Sequence, residues 1–183
     1  MEIYLVRHTT PAIEKGVCYG QTDLNVAETF EEEVELVLKN LEDRTHSKVF
    51  TSPLIRCKKL ALKISNQITE DDRLKEINFG DWELLKWDDI DRNELDVWMK
   101  DYVNIEVPNG ESCLQLFDRN IAFFKEIIQL KHPKTIIVCH AGVIRSILSY
   151  INNTNIEDSY NIAIDYGQVF KIQKENNIFT LNK

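Results

Sequence analysis

The stretch Thr135-Ile136-Ile137-Val138-Cys139-His140-Ala141-Gly142-Val143-Ile144-Arg145 decides the fold. Thr135 to Cys139 is a continuous apolar, β-branched run, the pattern of a strand buried on both faces in the middle of a sheet. It stops at His140-Ala141-Gly142, and Val143 to Ile151 resumes as a helix. The N-terminus repeats the arrangement: Ile3 to Val6 reads as a strand that ends at Arg7-His8-Thr9-Thr10-Pro11, where Pro11 discourages a helix. Lys48 to Thr51 reads as a third strand, followed by a turn at Ser52-Pro53 that soon delivers Arg56.

Helical patterns fill the intervals. Asn25, with Glu28 three positions on, reads as a capping box opening a helix whose apolar stripe is Phe30, Val34, Val37, Leu38 and Leu41. Glu31-Glu32-Glu33 falls on its solvated face. Leu54 to Ile68 reads as helix, and Leu74 to Ile77 as a short extended piece broken by Gly80. Trp82 to Tyr102 reads as helical in part, with Trp82 and Trp87 as packing residues. After the loop signal Pro108-Asn109-Gly110, Ser112 and Gln115 form a second capping box, before a helix carrying Leu116, Ile121, Phe124, Ile127 and Ile128. Gln168 to Gln173 reads as an edge strand. Strands alternating with helices predict one α/β domain over residues 1–183, a three-layer α/β/α sandwich around a mostly parallel sheet.

Composition narrows the function. The 183 residues suffice for one full core, and 43% hydrophobic with 28% charged residues is ordinary for a globular chain. With 22 Lys+Arg against 30 Asp+Glu, a formal charge of −8 argues against nucleic acid or an anionic membrane surface as a partner. The first residues lack the signature of a secretory signal, and no apolar run approaches the roughly 20 residues of a membrane span, so the expectation is a cytoplasmic protein. The cysteines at 18, 57, 113 and 139 are scattered and read as reduced and mostly buried, Cys139 in the core. A zinc site at Cys139-His140 would lack further ligands at suitable spacing. Nothing in the sequence indicates an oligomeric state.

His8 and His140 each follow a strand, and in open α/β sheets ligands bind beyond the carboxyl ends of strands. If the two strands are neighbours, both imidazoles meet there, with Arg7, Arg56 and Arg145 close by. That set suits a phosphoryl group: arginines offer permanent, bidentate donors to its oxygens, and a neutral imidazole can serve as nucleophile.

Five segments, in order, extend this reading. Leu5-Val6-Arg7-His8-Thr9 resembles the RHG signature of the histidine phosphatase (phosphoglycerate mutase-like) superfamily. Thr51 to Cys57 is similar to its SSPLxRA segment, and Leu74 to Glu83 to its LxExxxGxWEG segment. Asn109-Gly110-Glu111-Ser112 resembles GGES, and Cys139 to Arg145 the closing HGGVIR. Gly16-Val17-Cys18-Tyr19-Gly20-Gln21-Thr22-Asp23-Leu24 most resembles the α-ribazole phosphatase branch, which acts late in cobalamin nucleotide-loop assembly.

The resemblance implies a phosphomonoesterase with His8 as the phosphorylated nucleophile. Arg7, Arg56 and His140 would hold the phosphate oxygens and Glu76 would be the general acid, with Glu83 as the alternative. Gln21 and Thr22 would line the substrate entrance, and Arg145 would touch substrate or pair near the sheet. No metal or organic cofactor is implied, and the partner is a small phosphorylated substrate. Taken singly, these are ordinary loop histidines, surface arginines, solvated carboxylates and turn residues; five ordered segments give them roles.

Two positions depart from the pattern: Thr9 replaces the usual Gly, and Glu14 stands where Asn is common and would repel phosphate unless it points away. Competing functions are a broad-specificity phosphatase, a phosphoglycerate mutase (for which the chain looks short), a phosphohistidine phosphatase acting on proteins, and a non-catalytic phospho-ligand-binding module. The last has no need of Glu76.

Overall fold

β4 (Lys134–Cys139) lies at the centre of the sheet, as its unbroken apolar run requires. In a computed structural model that describes every residue except 42, 43, 131, 177 and 183, it pairs in parallel with β1 (Glu2–Arg7) on one side and β2 (Lys48–Thr51) on the other. β3 (Ile68–Glu70) continues the parallel part beyond β2. On the far side β5 (Val169–Glu175) runs antiparallel to β1 and is followed by β6 (Ile178–Asn182). Among the described residues the sheet has six strands, ordered β3-β2-β4-β1-β5-β6.

Alternation along the strands separates two cores. Ile3, Leu5, Ile137 and Cys139 face α4 (Cys113–Ile127) and α5 (Ala141–Asn152), where Ile121, Phe124, Val143, Ile144 and Ile147 complete one layer. Tyr4, Val6, Ile136 and Val138 face α1 (Phe30–Asn40) and α2 (Ile55–Ile64), meeting Val34, Val37, Leu60 and Ala61. The fold is the α/β/α sandwich with a mostly parallel sheet that the alternating pattern predicts.

Local boundaries differ from the sequence reading. The first helix begins at Phe30 rather than at Asn25. The amide of Ala12 donates to Asn25 O and that of Ala27 to Thr10 O, so residues 25–27 pair with 10–12 and stay extended. The Asn25 side chain accepts from the neighbouring Val26 amide instead of capping a helix. α2 ends at Ile64; Ser65 closes a turn with Gln67, and Ile68 turns into the strand β3. Leu74 closes a 3₁₀ turn over Asp72–Leu74, capped by Asp71, before the chain extends. In the 82–102 region only a 3₁₀ turn at Trp87–Asp89 and α3 (Arg92–Lys100) are helical beyond Trp82, which itself ends a 3₁₀ turn. β5 is not the edge strand, because β6 covers it. The capping box at Ser112 and Gln115 forms as read. A short helix, α6 (Ile156–Ser159), follows α5. Among the described residues no helix is long and apolar enough to cross a membrane.

Candidate active site

Because β1 and β4 are parallel neighbours in register Arg7↔Cys139, the residues that follow them are adjacent. The His8 amide donates to Cys139 O at 2.9 Å, and the His8 and His140 rings meet edge to face with centroids 5.0 Å apart. His8 is 2% exposed and His140 fully buried. The Nδ1 of His8 lies 2.6 Å from Thr9 O. A carbonyl only accepts, so Nδ1 carries the proton and Nε2 keeps its lone pair. His140, just before α5, places Nε2 2.9 Å from Ser52 Oγ, with the Cys57 thiol against the ring.

Burial, reinforced by Arg56 and Arg7, pushes His8 well below the ordinary 6.5. Burial, with Arg56 and His8 nearby, does the same to His140. Both rings are therefore neutral at neutral pH, the form a nucleophile needs. Between 6.5 and the lowered folded values, the unfolded chain binds protons that the native state refuses, so stability falls as pH drops through that range. The slope reaches up to about 1.4 kcal/mol per pH unit for each histidine. Urea unfolding should show a midpoint declining from about pH 7 to about pH 5; a flat midpoint contradicts the buried neutral pair.

Three arginines surround the histidines, and each is held by backbone carbonyls rather than carboxylates. Arg7 donates to Ile164 O at 2.6 Å, with its guanidinium over the Tyr166 ring at 3.8 Å. Arg56, fully buried, donates to Thr22 O at 2.8 Å and Gly20 O at 2.5 Å. Arg145 reaches Ile162 O at 3.3 Å. Carbonyls fix the planes without cancelling the charge. The Nε–H of each arginine is buried and has no acceptor among the described residues.

A cavity of about 230 Å³ opens beside this cluster, lined by Arg7, His8, Glu76, Gly142 and Arg145 and walled by Tyr19, Phe79, Trp87 and Tyr160. The Glu76 carboxylate accepts from the Ile77 amide at 3.0 Å and from the Gly142 amide at 3.1 Å in the first turn of α5. Glu83 is placed differently. It accepts from the amides of Gln21, Thr22 and Phe79 and from the Thr22 hydroxyl. Burial alone would raise its carboxyl, but these donors outweigh burial and hold it below the ordinary range.

Of the residues that the sequence places at the site, Arg7, His8, Glu76 and Arg145 border this cavity, whereas Arg56 and His140 lie buried behind it and Gln21 and Thr22, contrary to the sequence expectation, do not line it. The Gln21 side chain turns to Glu76 O and Glu111, and the Thr22 side chain to Glu83, because their loop must present the Gly20 and Thr22 carbonyls to Arg56. Trp82 is core, whereas Trp87 forms part of the cavity wall. Sequence reasoning also passed over Tyr19, Phe79 and Tyr160 as lining residues, and over Tyr166, whose hydroxyl bonds Tyr19 at 2.7 Å. Tyr19 and Phe79 lie inside quoted segments and could have been found there; Tyr160 and Tyr166 carry no motif.

Thr9 is buried, and the backbone there needs no left-handed conformation, so a β-branched residue is tolerated after His8. Glu14 faces a neighbouring cavity with Pro11, Lys15 and Gly16 rather than the one holding His8. The cysteines at 18, 57, 113 and 139 are free and buried. Among the described residues no group of three or more His, Cys, Asp or Glu side chains is arranged to hold a metal ion.

A family model for the histidine phosphatase superfamily (branch 1) matches residues 3–183. The chain belongs to the histidine phosphatase superfamily. Similar members include a Hydrogenobacter thermophilus protein with the provisional name phosphoserine phosphatase 2, 27% identical over 188 residues, covering 98% of this chain and 92% of that protein. The uncharacterized phosphatase PhoE of Bacillus subtilis is 29% identical over 161 residues, covering 85% of this chain and 79% of PhoE. In structure, this histidine phosphatase is similar to the α-ribazole phosphatase of Shigella flexneri, with a TM-score of 0.91 at 22% identity, over 100% of this chain and 95% of that one. That likeness establishes a shared fold.

Proposed function

We propose that this phosphatase hydrolyses a small phosphomonoester through a phosphohistidine at His8, and that α-ribazole 5'-phosphate is its substrate. The observation that carries the chemistry is one cavity bordered by the carbonyl-held guanidinium groups of Arg7 and Arg145 and by a histidine whose Nε2 lone pair is free, with buried Arg56 adding its charge close to the same histidine. A phosphoryl group in that cavity would sit between permanent positive charges and the nucleophile.

In the first half-reaction, His8 Nε2 attacks phosphorus, an N–P bond forms and the ester P–O bond breaks. Glu76 gives its proton to the departing alkoxide. Arg7 and Arg56, with His140 beside His8, stabilise the charge on the phosphoryl oxygens. In the second, water attacks the phosphohistidine, the Glu76 carboxylate takes a water proton, the N–P bond breaks and inorganic phosphate leaves. Glu76 is preferred to Glu83 because it borders the cavity, whereas four donors tie Glu83 to the 21–22 loop.

The aromatic wall of Tyr19, Phe79, Trp87 and Tyr160 favours a leaving group with a flat ring, as in α-ribazole. The segment Gly16–Leu24 and the likeness to the Shigella flexneri enzyme point the same way. A second reading, phosphoserine hydrolysis, is favoured by the name of the Hydrogenobacter thermophilus relative, which matches 98% of this chain.

The test is turnover of α-ribazole 5'-phosphate, phosphoserine, 3-phosphoglycerate and p-nitrophenyl phosphate by the purified protein. A kcat/KM for α-ribazole 5'-phosphate at least roughly a hundredfold above the others is expected, since each discriminating pocket contact is worth about 1–3 kcal/mol. Preference for phosphoserine replaces the substrate, and conversion of 3-phosphoglycerate to its isomer makes the protein a mutase. Equal, modest rates identify a broad-specificity phosphatase. No turnover of any of the four leaves a protein-phosphohistidine phosphatase or a binding module.

A further inference from the structure

We propose that Arg119 and Glu111 are positioning residues that set Glu76 in place, an inference that rests on Glu76 being the general acid. Glu76 lies between the 3₁₀ turns Asp72–Leu74 and Gly80–Trp82, in a stretch without helix or strand. Its backbone has no regular ladder to fix it, so its position must come from elsewhere in the molecule.

Arg119, on the face of α4 toward this stretch, supplies that support. Its Nη1 donates to Arg73 O at 2.8 Å and to Lys75 O at 2.7 Å. Its Nη2 donates to Glu76 O at 2.8 Å and to Glu111 Oε2 at 2.9 Å, and its Nε to Glu111 Oε1 at 2.9 Å. These contacts use all five guanidinium donors. Glu111 holds the other side of Glu76: its carboxylate accepts from the Asn78 amide at 2.9 Å, and its own amide donates to Asn78 O at 2.8 Å. Gln21 Nε2 joins the knot at 3.5 Å from Glu111 and 3.1 Å from Glu76 O.

The peptide is thus clamped immediately before and after Glu76, while neither Arg119 nor Glu111 borders the cavity. A lysine at 119 offers a point charge with three donors in no fixed plane and cannot hold three carbonyls and a carboxylate at once. The carboxyl of Glu76 would then wander relative to the leaving oxygen, and displacements of about 1 Å cost up to about a hundredfold in rate.

Benzyl phosphate and p-nitrophenyl phosphate separate positioning from general structural damage. Benzyl alkoxide needs a proton as it departs; p-nitrophenolate does not. kcat/KM is measured on both esters for the wild type, Glu76→Gln, Arg119→Lys and Glu111→Gln. Glu76→Gln should lose roughly a hundredfold or more on benzyl phosphate and far less on the aryl ester. Arg119→Lys should lose about tenfold to a hundredfold on benzyl phosphate, and Glu111→Gln somewhat less, with both keeping most aryl turnover, which also reports that they fold.

Equal losses on both esters, or none, in Arg119→Lys and Glu111→Gln while Glu76→Gln discriminates would overturn the positioning role alone. If Arg119→Lys does not fold, Glu111→Gln decides by the same ratio. A Glu76→Gln that treats both esters alike removes the general acid and this inference with it.

Discussion

His8→Ala should abolish phosphatase turnover, with kcat falling by at least about a thousandfold, as removal of a nucleophile does in other covalent mechanisms. The substitution deletes Nε2, the lone pair left available because Nδ1–H is tied to Thr9 O. It leaves the three arginines in place, since Arg7, Arg56 and Arg145 are held by the carbonyls of Ile164, Gly20, Thr22 and Ile162. The variant should therefore still bind inorganic phosphate, measurable by calorimetry, while failing to release it from an ester. Turnover within about tenfold of the wild type would mean that water attacks the ester directly and the ring at position 8 is a bystander.

Gly142→Ala should lower kcat/KM by roughly tenfold to a hundredfold with little loss of stability. A Cβ at position 142 would lie 2.2 Å from Glu76 Oε1 and 2.9 Å from Leu116 Cδ2. Both are ends of side chains, so the backbone stays and the carboxylate moves, giving up its contact with the Gly142 amide. Alanine is otherwise the better helix residue, by about 1 kcal/mol, which offsets part of the crowding. Thermal unfolding alongside steady-state kinetics checks the split. A large drop in Tm with unchanged kcat/KM would place the role of Gly142 in packing instead of in making room for Glu76.

The central features of both fold and site were legible because they depend on strong, short-range patterns. The β-branched run Thr135 to Cys139 reads as an interior strand, and the polar break at His140 puts that residue at the strand end. Parallel pairing of β1 with β4 then made His8 and His140 neighbours, a contact that sequence could state only as a condition. By local spacing Asn25 and Glu28 read as a cap, yet α1 begins only at Phe30. Pairing of 25–27 with 10–12, a contact across the fold, takes the backbone donors first.

Long-range contacts also hid the division of labour among the polar residues. The resemblance ranks Glu76 above Glu83 by position in the segment, but their different surroundings come from α5 and from the 21–22 loop. The resemblance puts Gln21 and Thr22 at the entrance, yet the Gln21 side chain turns to Glu76 O and the Thr22 side chain to Glu83, while the loop's Gly20 and Thr22 carbonyls hold Arg56. Tyr160 and Tyr166 follow the short helix α6, where no periodicity or motif marks a residue that reaches back over Arg145 and Arg7. Arg119 reads as an ordinary polar position on an amphipathic helix until its five donors are traced.

The most direct test is to quench the enzyme during turnover of α-ribazole 5'-phosphate or p-nitrophenyl phosphate and map the phosphorylated residue by mass spectrometry under mildly alkaline conditions that preserve phosphohistidine. One phosphoryl group is expected on His8, attached at Nε2 and absent from His8→Ala. Phosphate on His140, or an enzyme that turns over rapidly in a single-turnover experiment without ever carrying phosphate on His8, would contradict it.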